Sequence, residues 1–214
     1  MNHSTTGIIV FGHTRSRQLH SVLESLRRQD TGLDIHVWID GHSERMLIRD
    51  AVQKCRKCVS HNFPEMHHTF LNGHIGIEKM TLDGLTWMAG HYNRIIVLED
   101  DCFPTASAIC VFQQELDTIA DIPDIYSVYG HHFLTDTEGE TITRFQGWGW
   151  ATTAEKLQRI LPRLRSCFCM HEPDYLRWVN QNLTPEVQKR LNVTPGRNCT
   201  DVLKKFFSWD SCTC

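Results

Sequence analysis

The sequence predicts an α/β fold: a three-layer core with a mostly parallel central sheet and a helical C-terminal part. Three observations predict it. Short apolar runs rich in β-branched residues alternate with longer stretches in which apolar side chains recur every three to four residues. Such runs read as buried strands and amphipathic helices, and their alternation builds a parallel sheet covered on both faces. The strand-like runs also end in polar or charged turns, the strongest of them in three successive carboxylates, Glu99, Asp100 and Asp101. Finally, the chain has no G-x-G-x-x-G, no P-loop and no G-x-S-x-G, which sets aside dinucleotide-binding Rossmann domains, P-loop enzymes and α/β-hydrolases.

The first strand is Ile8 to Phe11, followed by the polar turn Gly12-His13-Thr14-Arg15-Ser16-Arg17. Leu19, Val22, Leu23 and Leu26 then fall at helical spacing. The turn places Thr14, Arg15 and Arg17 at the carboxyl edge of the strand; exposed arginines near a helix start are usually solvated, but here their guanidinium forks could also face a diphosphate. Ile35 to Ile39 is the second strand and ends in Asp40-Gly41, a turn signal and also the position where doubly wound folds set an acid against a ribose or base. A helix follows to Gln53, a short strand is predicted at Cys58 to His61, and Phe63 to Asn72 reads as a loop. Ile75 to Gly90 is helical and carries Lys79; most helix lysines are solvated, but one here could reach phosphate.

Arg94 to Leu98 is the central buried strand, leading into the acids. In open α/β sheets ligands gather at the carboxyl ends of strands. Three acids there repel one another unless a cation or hydrogen-bond donors offset them, and Mg2+ and Mn2+ prefer such oxygen ligands. The alternative is a solvated acidic turn. Pro104 suits the first turn of a helix running to about Ala120. Strands are predicted at Ile125 to Tyr129 and Thr141 to Phe145. Helices are predicted at Ala154 to Arg165, Glu172 to Gln181, Pro185 to Leu191 and Asp201 to Phe207.

Between them, Gln146-Gly147-Trp148-Gly149-Trp150-Ala151-Thr152 alternates glycine with tryptophan. Glycine lets backbone approach a ligand, and tryptophan offers a flat face to a sugar ring. The competing expectation is a tight turn with at least one tryptophan in the core.

The 214 residues, 41% hydrophobic and 22% charged, suit one globular domain, predicted over 1–214. A net charge of −3 gives no basic field for nucleic acid. No apolar run approaches the roughly 20 residues of a transmembrane span, and the N-terminus lacks a signal-peptide pattern; a cytoplasmic protein is expected. Nine cysteines include one lone C-x-x-C, Cys55 and Cys58. Free thiols are expected over a zinc module, because no second ligand pair stands at ribbon or finger spacing.

Taken together, the Val10-to-Arg15 stretch with Leu23-Glu24-Ser25-Leu26, the Trp38-Ile39-Asp40 strand end, Val97-to-Asp101, the Gly147-to-Thr152 segment and Ser208-Trp209-Asp210 resemble the GT-A class of nucleotide-sugar glycosyltransferases. Within it they resemble bacterial proteins near the N-acetylglucosaminyltransferase I type. The resemblance implies an inverting transfer from a nucleoside-diphosphate sugar, UDP-linked, to a hydroxyl of a glycan or glycoconjugate, with Mn2+ or Mg2+ as cofactor. It implies Asp101 as metal ligand and Asp210 as catalytic base. Glu99 and Asp100 would contact ribose or sugar, and Asp40 uracil or ribose. Arg15 and Lys79 would serve the nucleotide, and Gly147 and Trp148 the donor sugar or acceptor. The chain stops four residues after Asp210, where the family pattern continues, so an incomplete C-terminus is expected. Two other functions fit the acids: a nucleotide-sugar binder without turnover, and a metal-dependent phosphohydrolase or nucleotidyltransferase. The single glycine of the first turn argues against a nucleotidyltransferase.

Overall fold

A computed structural model describes residues 6–130, 145, 147–167, 174, 177, 178 and 181. Its elements run β1 (Thr6–Gly12), α1 (Ser16–Gln29), β2 (Asp34–Ile39), α2 (Met46–Asn62), β3 (His67–Phe70), α3 (Ile77–His91), β4 (Arg94–Glu99), α4 (Ala108–Ile119), β5 (Val128–Tyr129), β6 (Trp150–Thr153) and α5 (Ala154–Cys167). The strands form a six-stranded sheet in the order β3-β2-β1-β4-β6-β5. β1 to β4 are mutually parallel, whereas β6 is antiparallel to both β4 and β5.

The alternation of side chains along β1 divides the core in two. Ile8 and Val10 face a layer built by α1, α2 and α4, with Leu19, Leu23, Val52 and Ile109 wholly buried or nearly so. Ile9 and Phe11 face the other layer, built by α3 and α5 around Leu85, Met88 and Leu157. Each such side chain contributes roughly 1.5–3 kcal/mol by leaving water. Buried Lys156 of α5 donates from Nζ to the carbonyls of Ile119 at 2.7 Å, Ile122 at 2.8 Å and Ile125 at 2.5 Å. It thereby ties the end of α4 and the following turn to α5.

Several expectations are corrected here. Cys58 to His61 is the last part of α2 rather than a strand; Val52, Cys55 and Val59, all buried, continue a helical stripe through it. The third strand is instead His67–Phe70, inside the segment expected to be a loop. It lies at the sheet edge, half of it exposed, so it needs no apolar run. Pro104 precedes α4 rather than opening it, and its carbonyl accepts a 2.6 Å bond from the buried Ser25 hydroxyl. Only Val128–Tyr129 of the run from Ile125 pairs as strand. Trp150–Thr153 is a strand on β4, with Trp150 opposite Val97. The strand predicted at 141–145 falls outside the described residues except for Phe145, which is not in a strand. The helices predicted at 185–191 and 201–207 fall outside them entirely, and the one at 172–181 largely so.

Candidate functional site

Strand register brings Asp40, Glu99, Asp100 and Asp101 of the sequence-predicted residues to one edge. In the parallel pair β1–β4, Phe11 stands opposite Glu99; in β1–β2, Gly12 stands opposite Ile39. The residues that follow, His13, Asp40 and Asp100, therefore emerge side by side. The chain leaves β1 toward β2 on one side, while β4 lies on the other, so this is the topological switch point where open α/β sheets bind ligands.

Asp100 is buried, and Asp101 beside it has a side chain 44% exposed. Arg15, just before α1, spans both: Nη1 donates to Asp101 Oδ2 at 2.6 Å, and Nη2 to Asp100 Oδ1. The His13 backbone N–H adds a 3.3 Å bond to Asp100 Oδ2. Burial pushes the Asp100 carboxyl above its ordinary range against the opposing pull of Arg15. Burial lowers Arg15, but its bonds to Asp100 and Asp101 outweigh this and leave it raised. Both partners are raised because desolvation prevails at Asp100, whereas at Arg15 the two carboxylates together outweigh it. Arg15 thus supplies the cation that three adjacent acids require.

Asp40 is 2% exposed and turned into its own chain. Oδ1 accepts from the N–H groups of Gly41 at 2.7 Å and Ile75 at 3.0 Å; Oδ2 accepts from Gly76 N–H at 3.1 Å and lies 2.7 Å from His74 Nδ1. The carboxylate expected to face a base or ribose clamps the turn ahead of α3 to the end of β2. Lys79 follows in the first turn of α3, where its Nζ sits 2.6 Å from Asp83. Gly41 is required by close approach: a Cβ there would lie 2.1 Å from the Gly73 carbonyl carbon.

His13 and His74, which the sequence did not single out, stack at 5.0 Å over this clamp. With Asp40 they place three metal-ligating atoms within 4.8 Å of one another. This group is the one such set among the described residues. His13 Nε2 lies 3.1 Å from the Gly41 carbonyl, so its remaining nitrogen is the one open to a ligand. The available signal was position alone: a histidine at each of two turns that meet.

On the β6 side a cavity of about 360 Å3 opens beside Asp101, lined by Leu98, Phe103, Phe112, Trp148 and Gly149 among others. Trp148 and Phe103 remain 49% and 65% exposed, whereas Trp150 is core. Gly149 holds a left-handed backbone, φ 69°, which turns the chain between the two tryptophans. Gly147 precedes that turn, Thr14 sits half-buried ahead of Arg15, and Glu99 closes β4 half-buried. Asp210 falls outside the described residues. Cys55 and Cys58 sit on α2 and belong to no metal-ligand group among the described residues. Burial raises both thiols, Cys55 to about 12, which leaves it unreactive.

No protein-family model matches the chain, and no curated protein matches its sequence. Solved structures do. The 4-diphosphocytidyl-2C-methyl-D-erythritol synthase of Anaerococcus prevotii DSM 20548 matches 83% of this chain and 82% of its own, with a TM-score of 0.53 at 10% identity. A cytidylyltransferase from Leptospira borgpetersenii serovar Hardjo-bovis matches 98% of this chain and 92% of its own, with a TM-score of 0.46 at 13% identity. The mannosyltransferase PcManGT from Pyrobaculum calidifontis, in complex with GDP-Man and Mn2+, matches 77% of this chain at a TM-score of 0.48 and 14% identity. This chain spans 47% of that protein. At such identities the likeness to the synthase shows the fold alone, a three-layer α/β arrangement with a mostly parallel central sheet. Among the described residues no helix is long and apolar enough to cross a membrane.

Proposed function

We propose that this chain is a nucleotide-sugar glycosyltransferase, near the N-acetylglucosaminyltransferase I type. It moves a hexosyl group from a UDP-linked donor to a glycan or glycoconjugate hydroxyl with inversion. The observation that carries this reading is the meeting of Arg15, Asp100 and Asp101 at the β1–β4 switch point, beside a cavity walled by Trp148. A site that sets a guanidinium beside its acids and offers a flat face for a ring suits a charged diphosphate linked to a sugar.

The roles are those the sequence resemblance implies. Arg15 and Lys79 bind phosphate, aided by the Thr14 hydroxyl, and Asp40 holds the turn that frames the nucleotide. Glu99 contacts ribose or sugar, whereas Asp100, buried and bonded to Arg15 and the His13 N–H, positions Arg15; Gly147 and Trp148 line the sugar. Asp101, half-exposed, offers hard carboxylate oxygens that fit Mg2+ or Mn2+. Asp101 would hold such a cation, which would supply charge neutralisation at the diphosphate leaving group. Asp210, assigned from the sequence resemblance, takes the acceptor hydroxyl proton as its oxygen attacks the anomeric carbon. The bond from that carbon to the diphosphate breaks, its electron pair leaves with UDP, and attack from the opposite side inverts the centre.

A second reading, nucleotidyl transfer, is favoured by the likeness to the Anaerococcus synthase. The two differ in product. Purified protein given UDP-sugars with Mn2+ and a hydroxyl acceptor releases UDP on the first reading. Given CTP and a phosphorylated acceptor it releases pyrophosphate on the second. Pyrophosphate release without UDP release refutes the glycosyltransferase reading.

A further inference from the structure

A second concave feature lies between α1 and α2 and shares no residue with the acid site. It is an open, shallow groove of about 480 Å3 lined by Arg17 and His20 of α1 and Lys54, Lys57 and His61 of α2, with no carboxylate in its wall. Among the described residues, the side chains of Arg17, Lys54 and Lys57 enter no ion pair. Of the nearby acids, Glu24 is held by Arg27 and Arg28, and Asp50, one turn before Lys54 on α2, makes no ion pair with it. Three permanent cations in one groove repel each other, and no ion pair among the described residues offsets them. Lysine and arginine so arranged attract phosphate.

A second observation selects the source of that phosphate. Met46 and Leu47, at the head of α2, are 72% and 79% exposed. Leu47, Lys54 and His61 are seven residues apart, two helical turns each, so they share one stripe of α2. Large apolar side chains standing in water at the end of a cationic stripe match helices that lie on anionic bilayers. A free phosphorylated molecule would use the cations but would leave Met46 and Leu47 without a role.

We propose that the α1–α2 face docks the protein on a membrane surface containing anionic phospholipid. Headgroup phosphates enter between Arg17, Lys54 and Lys57, and Met46 and Leu47 reach the acyl boundary. Since α2 begins just beyond the carboxyl end of β2, docking sets the edge that carries the acid site beside the bilayer.

Vesicle sedimentation of the full chain tests this. The protein binds vesicles of phosphatidylcholine with phosphatidylglycerol, does not bind phosphatidylcholine alone, and is released by salt. Lys54→Glu with Lys57→Glu weakens binding at least about 25-fold, from roughly fivefold per lost cation near such a surface. Met46→Ser with Leu47→Ser weakens it severalfold. The matched charge reversal Arg159→Glu with Arg163→Glu, on the opposite helical layer, leaves it unchanged. Circular dichroism checks that each variant folds, and the salt titration of the unaltered protein reads the electrostatic part independently. Salt-insensitive binding, equal binding by the Lys54/Lys57 variant, or binding of inorganic pyrophosphate without vesicle binding overturns the proposal.

Discussion

Replacing Gly41 by alanine tests how the site edge is built. A Cβ at position 41 would lie 2.1 Å from the Gly73 carbonyl carbon, 2.2 Å from its oxygen and 2.6 Å from its Cα. All three are backbone atoms, so no rotamer change relieves the overlap. Reaching ordinary contact requires the two segments to part by roughly 1 Å or more. The Asp40 carboxylate then loses its bonds to the N–H groups of Ile75 and Gly76, now 3.0 and 3.1 Å. Bonds to a charged group contribute about 1.5–3 kcal/mol each, and the buried carboxylate left behind adds a desolvation cost. Gly41→Ala should therefore cost about 3–5 kcal/mol. Gly73→Ala is the internal control: a Cβ there meets nothing within 4 Å, so its cost should stay within about 0.5 kcal/mol. Urea denaturation followed by circular dichroism measures both. A Gly41→Ala protein within about 0.5 kcal/mol of the unaltered chain, or equal losses for both variants, refutes the close-approach account.

Two further predictions concern charge. Arg15→Met leaves Asp100 buried without its guanidinium. Because Arg15 is half exposed, the loss at pH 7 should be about 1–2 kcal/mol rather than the larger cost of a fully buried pair. Asp100 already sits above its ordinary range, so the folded carboxyl takes up its proton before the unfolded one does. The loss therefore shrinks as pH falls from 7 to 5; urea midpoints that fall equally at both pH values contradict this. His36 is held down to about 4, chiefly by burial and then by the neighbouring His67, and its Nε2 lies 2.6 Å from Tyr92 Oη. A base with a depressed folded pKa contributes stability that is complete above the unfolded value near 6.5 and is lost as pH falls toward 4. The loss is on the order of 2 kcal/mol once solvent screening is allowed for. His36→Gln should flatten that acid limb, and an unchanged slope of stability against pH refutes the assignment.

The buried middle of the fold was legible because parallel strands covered on both faces must be continuous apolar runs. β1, β2 and β4 announce themselves this way, and α1 and α3 by their apolar stripes. The edges were not. His67-His68-Thr69-Phe70 is a strand because β2 offers it a ladder, which its polar composition does not reveal. Cys58 to His61 looks like a strand only when cut away from the helix that leads into it. Trp148 and Trp150 stand two residues apart in one motif, yet one lines a cavity and the other fills the core. The Gly149 turn and the pairing with β4 separate them. At the site, a sequence argument could carry Arg15 and the acids to the same strand ends. The ion pair between residues 85 apart, the Asp40 clamp and the stacked His13 and His74 arise from tertiary contact alone. Asp40-Gly41 reads locally as a turn, whereas the glycine is needed for the approach of Gly73.

The central claim is that Asp101 and Arg15 form a metal-assisted nucleoside-diphosphate site. Calorimetric titration of UDP into the purified protein, with and without Mn2+, tests it most directly when repeated on Asp101→Ala. The account predicts binding that requires Mn2+ and that Asp101→Ala abolishes. UDP binding of equal strength with and without Mn2+, or retained in full by Asp101→Ala, would contradict it, as would no binding under either condition.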